Sequence, residues 1–285
     1  MAEALETRTA ESELLAALQL PTRGRVYKLG MQLNNDRPLW PAHGPFLHYV
    51  LLSYVQGGRL ITRAPGTPNV GMLVDRVEMP LHAGTHVDSL NHFSVEDRLY
   101  DGSQASEVES SEGAQVLGLE TMAPFVCPGL LLDVAAVHGV KTLPVDHEVT
   151  AEDLQRAMKR QGIESIRRSS VVLIHTGWMA LYETDRRKYF EREPGLGMSG
   201  AVMLAEAGVR AVAADNSALE LVPPAEHLRP YPVHQELLAR RGIHIFENVV
   251  SAGLAADAVG EFLFVAAPLI IRGASGSPVT PLAIV

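Results

Sequence analysis

The sequence predicts an α/β protein folded as one domain, and three observations carry that expectation. Short apolar runs alternate with capped, amphipathic segments through the second half of the chain, as strands alternating with helices do. No internal repeat, low-complexity tract or linker divides the 285 residues. Hydrophobic residues make up 47% of the chain, enough for a sizeable core.

Taken in order, residues 1–20 read as an N-terminal helical arm, acidic first and then apolar, ended by Pro21 and suited to docking on a neighbouring surface. The single domain is expected over residues 21–285, with 25–31 as its first strand. Residues 34–45 form a loop rich in Pro, Asn and Gly around Trp40, and loops of this length are often functional. Alternation over 70–77 predicts a strand that leads into a histidine cluster. The continuous apolar runs 129–134 and 171–174 predict buried strands. Thr150-Ala151-Glu152-Asp153 has the form of a capping box, opening a helix that runs to about Gly162. A helix over 199–207 closed by Gly208, a strand over 209–214, a helix over 234–241 stopped by Gly242, and strands over 243–246 and 262–271 complete the pattern.

Charge and cysteine content exclude several classes. The net charge is −9, and no Lys/Arg-rich run occurs, which argues against a nucleic-acid surface. Cys127 is the single cysteine, so the fold does not rest on disulfides, which favours a reducing compartment; it reads as a core residue. The N-terminus carries acids where a secretory signal carries bases, and no apolar run approaches the roughly 20 residues needed to cross a bilayer. A soluble, cytoplasmic protein without a membrane partner is expected.

The richest segment is His82-Ala83-Gly84-Thr85-His86-Val87-Asp88, followed by His92. Imidazole nitrogen and carboxylate oxygen suit zinc, manganese or iron. A structural zinc site normally uses thiolates, whereas a mixed His/Asp site can keep a position open for water. His82 and His86 would share a face of a helix, but Gly84 and the preceding strand pattern fit a strand-to-loop transition equally well. His86 and Asp88 converge in extended backbone. An isolated histidine among the 11 in this chain would read as a surface residue; three beside an Asp do not. His234 and Glu247 are distant candidate ligands, because Glu247 follows a predicted strand where α/β sheets place ligand sites. Ordinary helix-end polar residues are the competing reading for both. Trp40 is either a loop anchor or an aromatic wall for a planar substrate.

Other motifs are weaker. Gly195-Leu196-Gly197-Met198-Ser199-Gly200 follows charged residues and Pro194 rather than a buried strand, so a dinucleotide site is rejected. Neither a Gly-x-Ser-x-Gly elbow nor a His-Glu-x-x-His motif occurs.

The histidine segment resembles the His-x-Gly-Thr-His-x-Asp-x-x-x-His signature of the cyclase superfamily of metal hydrolases, which includes kynurenine formamidases, isatin hydrolases and γ-lactamases. Pro38-Leu39-Trp40-Pro41 resembles its tryptophan loop, and residues 171–178 resemble its strand ending in Thr-Gly-Trp. Pro194-Gly195-Leu196, the Asp215 region, residues 234–238 and 242–248, and Gly276-Ser277-Pro278-Val279 also agree in order. Ser89-Leu90-Asn91 after the last motif ligand departs from the Asp-x-Pro of many formamidases. The resemblance implies a swivelling β/β/α domain in a homodimer or homotetramer. It implies His82, His86 and Asp88 as metal ligands, with His234 and Glu247 completing the site or holding a second ion. It further implies His92 as acid/base, Trp40 in the substrate pocket, and Zn2+ or Mn2+ as cofactor.

The expected activity is hydrolysis of a small cyclic or aryl amide by metal-activated water. N-formylkynurenine hydrolysis, a lactone-opening or polyketide-type cyclase activity, and a non-enzymatic metal-binding interaction protein are the alternatives.

Overall fold

Four apolar runs form the centre of the molecule, and their residues alternate strictly between two cores. In the strand Phe125–Asp133, Leu130 and Leu132 enter one core while Leu131 enters the other. Val172 and Ile174 part from Val171 and Leu173 in Val171–His175 in the same way, as do Val212 and Ala214 from Ala211 and Ala213 in Ala211–Ala214. In His244–Glu247, Ile245 and Phe246 take opposite faces. Side chains of a strand alternate in direction, so a strand covered on both faces must be apolar throughout. Each large aliphatic side chain so buried contributes about 1.5–3 kcal/mol.

The computed structural model describes residues 11–35, 40, 43–61, 68, 70–224 and 230–285, with the backbone alone for 11 and 12. Its main sheet has nine strands. In spatial order they are Val26–Lys28, Leu282–Ile284, Glu261–Ala266, Phe125–Asp133, Val171–His175, Ala211–Ala214, His244–Glu247, His86–Asp88 and Gly276–Pro278. The four central runs are parallel; the strands outside them pair antiparallel. Helices Ala151–Gln161 and Met198–Glu206 pack on the face that buries Leu154, Ala157, Ala201 and Leu204. The fold is α/β, a swivelling β/β/α architecture, as expected.

Local signals explain where elements start and stop. Thr150 and Asp153 exchange backbone and side-chain hydrogen bonds in a full capping box, and Gly162 closes the helix at φ +70°. The helix at the N-terminus covers Glu11–Ala17, and its buried Ala17 packs toward the strand Phe125–Asp133 of the same chain. Residues 1–10 of the expected arm lie outside the described residues, as do Pro38, Leu39 and Pro41 of the tryptophan loop.

Three expectations are corrected. The strand expected over 70–77 runs Val74–Glu78, and it pairs with Leu47–Leu52, a strand the sequence pattern did not reveal. Both strands carry exposed apolar residues, so the inside-outside alternation that marks a strand is blurred there. The strand expected over 262–271 stops at Ala266, and two further strands, Gly276–Pro278 and Leu282–Ile284, complete the sheet. They are too short for periodicity to mark. The helix expected over 234–241 begins at Pro232 and continues as a π-helix over Gln235–Arg240. Among the described residues no helix is long and apolar enough to cross a membrane.

Candidate metal centre

Strand register delivers the first ligands. His86 and Asp88 share one face of the short strand His86–Asp88, while Val87 between them enters the core on the other. The neighbouring strand pairs antiparallel with Glu247 opposite His86. His82 lies in the turn before this strand, so the motif is a turn-to-strand transition and not a helix. Gly84 makes that turn possible: it sits at φ +59°, and a Cβ there would lie 2.6 Å from Leu33 Cδ2. Gly276, on the adjoining strand, leaves room for the His82 ring; a Cβ would come within 2.5 Å of His82 Cε1.

The histidines are oriented by bonds from their far sides. His86 Nδ1 lies 2.8 Å from the Gly84 carbonyl oxygen, which assigns the proton to Nδ1 and aims Nε2 at Glu247 Oε2, 3.2 Å away, and at Asp88 Oδ1, 3.5 Å away. His234 Nδ1 lies 2.6 Å from Glu220 Oε1, and its Nε2 is 3.2 Å from Glu247 Oε1 and 3.9 Å from Asp88 Oδ2. Metal-binding histidines are characteristically held through the other ring nitrogen by a carbonyl or carboxylate. His82 Nδ1 lies 2.8 Å from Asp88 Oδ1, and its ring stacks on His92 with centroids 4.0 Å apart.

These contacts define two adjoining clusters. Donor atoms of His86, Asp88 and Glu247 all lie within 4.8 Å of one another, and so do those of His82, Asp88 and His92. Asp88 belongs to both. His234 belongs to neither group but adjoins both, 3.2 Å from Glu247 Oε1 and 3.9 Å from Asp88 Oδ2, and His92, expected beside the site, stands within the group of His82 and Asp88.

The residues fit a divalent cation. Asp88 Oδ2 and Glu247 Oε1 are buried carboxylate oxygens without a hydrogen bond. A buried anionic oxygen left so is costly unless a cation satisfies it. The field has the matching sign. Burial opposes charge on His86, yet Glu247 and Asp88 raise its pKa to about 9. Burial likewise opposes charge on His234, and the Glu220 and Glu247 carboxylates hold its pKa well above the ordinary value. Burial would raise Asp88, but His92, His82 and His86 hold it below the usual carboxylate range. His92 differs: burial, with His82 and His234, lowers its pKa to about 4 against the opposing pull of Asp88 and Glu247.

His82, His86, His92, His234 and Glu247 line a cavity of about 290 Å³ together with Trp40, Phe93, Tyr182, Phe190 and Tyr231. Trp40 packs edge-on against Phe190 at 6.1 Å. Two acids that sequence reasoning missed organise this region. Glu220 orients His234, and Glu193 accepts from the backbone N–H of Ser217 at 2.8 Å and of Ala218 at 2.7 Å, two residues on the cavity wall. Glu220 sits within the apolar run 218–222, and an acid embedded in such a run was the signal available.

Fold and donor set together define an α/β protein with a buried carboxylate–imidazole centre at the edge of its parallel strands. The family model described as "Putative cyclase" matches residues 27–221. The chain belongs to this cyclase family. A solved structure of a novel cyclase superposes with a TM-score of 0.86 at 30% identity, covering 97% of this chain and 92% of that one. Kynurenine formamidase of Bacillus thuringiensis (strain Al Hakam) is 26% identical over 253 residues, which span 88% of this chain and 93% of the relative. Isatin hydrolase A from Labrenzia aggregata, bound to benzyl benzoate, shares the fold with a TM-score of 0.67 at 21% identity, over 92% of this chain and 93% of that one.

Proposed function

We propose that this chain is a metal-dependent hydrolase of a small, uncharged cyclic or aryl amide. The observation that carries the reading is the buried carboxylate pair Asp88 and Glu247, each with one oxygen lacking a hydrogen bond, beside the pre-oriented imidazoles of His86 and His234, which with Glu247 line an aromatic cavity. His86, His234, Asp88 and Glu247 would hold one divalent ion, and His82 with Asp88 would complete or extend the site. Zn2+ or Mn2+ suits this donor set, and when bound supplies Lewis acidity and an activated water.

The protein's own groups do the rest. Glu220 and the Gly84 carbonyl fix which nitrogen of His234 and His86 faces inward. His92 is neutral when its pKa lies near 4, so its ring can take a proton as water attacks the carbonyl carbon. The imidazolium so formed is a ready donor to the leaving amide nitrogen. Trp40, Phe93 and Phe190 exclude water from around a flat substrate.

The aromatic walls of Trp40, Phe93, Phe190 and Tyr231 support a flat, uncharged substrate. A substrate bearing an amino-acid carboxylate would need a counter-charge for desolvation. N-formylkynurenine is the second reading, supported by the formamidase relatives. A homodimer or homotetramer belongs to the same reading, and the exposed apolar Tyr49, Val50 and Leu51 are surface that such an assembly would cover. Turnover of cyclic imides, lactams, lactones and N-formyl arylamines, with and without a carboxylate, separates the substrate readings. The proposal expects kcat/KM to favour the uncharged amides; a preference for N-formylkynurenine over its decarboxylated analogue overturns the uncharged-substrate assignment.

A further inference from the structure

We propose that His138, His147 and Asp153 form a second, peripheral site for a divalent transition-metal ion of the zinc class. The three come from separate pieces of chain. His138 caps the C-terminal end of the short helix Val134–Val137, His147 lies in the turn before Glu148–Val149, and Asp153 stands in the first turn of the helix Ala151–Gln161. Their donor atoms all lie within 4.8 Å of one another. None of the three lines the aromatic cavity.

The carboxylate is fixed before any ion arrives. Asp153 Oδ2 accepts from the backbone N–H and the hydroxyl of Thr150, each at 3.1 Å. Oδ1 faces His138 Nε2 at 2.7 Å, while His147 Nε2 approaches Oδ2 at 3.3 Å. The two rings stand edge-to-face with centroids 4.4 Å apart, so both present the same nitrogen to one anion. Capping explains Asp153 and Thr150; it does not explain two imidazoles converging on the same carboxylate. Ions preferring all-oxygen shells gain little from such a set, whereas zinc, nickel and copper favour imidazole. Asp153 is buried and the histidine side chains are 27% and 20% exposed, which leaves coordination positions open to water. The one competing cation near Asp153 among the described residues, Arg156, is 3.9 Å from Oδ1 on a half-exposed side chain that can swing away. A bound ion would tie the residue 138 turn to the start of the 151–161 helix.

The test uses the full chain, stripped by chelation and titrated with Zn2+ alone, with bound metal read by equilibrium dialysis and elemental analysis. His147→Gln and His138→Gln should each bind one zinc fewer per chain than the wild type at saturation, with turnover unchanged. Zinc should slow carbethoxylation of His138 and His147, read by peptide mass, both in the wild type and in a His86→Ala background. Equal zinc stoichiometry in wild type and a folded His variant, or unchanged modification rates, overturns the site. Failure of the proposed hydrolysis leaves this outcome unaffected.

Discussion

Glu220 holds His234 at two points: its Oε1 lies 3.0 Å from the His234 backbone nitrogen and 2.6 Å from ring Nδ1. The backbone bond sets where the helical turn begins and the ring bond sets which way the imidazole points. Glu220→Gln keeps the size but loses the charge. It is expected to weaken metal binding about 10–100-fold, as loss of a partner behind a ligand typically does. Chelator competition measures this; an affinity within threefold of wild type removes the orienting role from Glu220.

His86→Ala and His92→Ala should part company. Removing His86 takes away an inward-facing Nε2 that approaches both Asp88 and Glu247, so metal and activity are lost together. Removing His92 should leave the metal content intact and reduce turnover about 10²–10⁴-fold, the range for an acid/base group. Loss of metal from His92→Ala would reassign it as a ligand, in keeping with its closeness to His82 and Asp88.

Gly84→Ala should destabilise the fold by about 1–3 kcal/mol, since the residue needs φ +59° and its Cβ would crowd Leu33 and Met31. The substitution also displaces the turn carrying His82. Denaturant unfolding reads the first effect and metal affinity the second; an unchanged midpoint contradicts the turn's strain.

Much of this architecture was legible in the sequence because it depends on local chemistry. Residues 171–174 and 209–214 announce doubly covered strands through unbroken apolar character, and Thr150 with Asp153 announces a helix start. His86 and Asp88 share a face through strand alternation alone. What was not legible depends on long-range register. Nothing local shows that Glu247 lies opposite His86, that Glu220 reaches His234, or that His138 and His147 meet at Asp153. The antiparallel pair of Leu47–Leu52 with Val74–Glu78 was obscured because many of its apolar residues are exposed.

Stability should have a pH plateau shaped partly by Asp215 and His175, whose Oδ2 and Nδ1 are 3.1 Å apart. Burial would raise Asp215, but His175 and Thr176 outweigh it and hold its pKa below 3.8. Its contribution is therefore complete above about 3.8 and is lost as pH falls through the lower folded value. Burial would lower His175, but Asp215 outweighs it and raises the pKa above 6.5. That contribution is complete below about 6.5 and fades as pH rises through the folded value. Thermal unfolding across pH should show both limbs, and Asp215→Asn should flatten them. A variant with the wild-type pH profile contradicts the pairing.

The most direct measurement is hydrolysis of an uncharged cyclic or aryl amide by the full chain before chelation, after complete metal removal, and after stepwise return of Zn2+ or Mn2+. The account predicts that turnover disappears with the metal and returns in proportion to the ion bound at Asp88, His86, His234 and Glu247. Undiminished hydrolysis by protein shown by elemental analysis to be metal-free would contradict it.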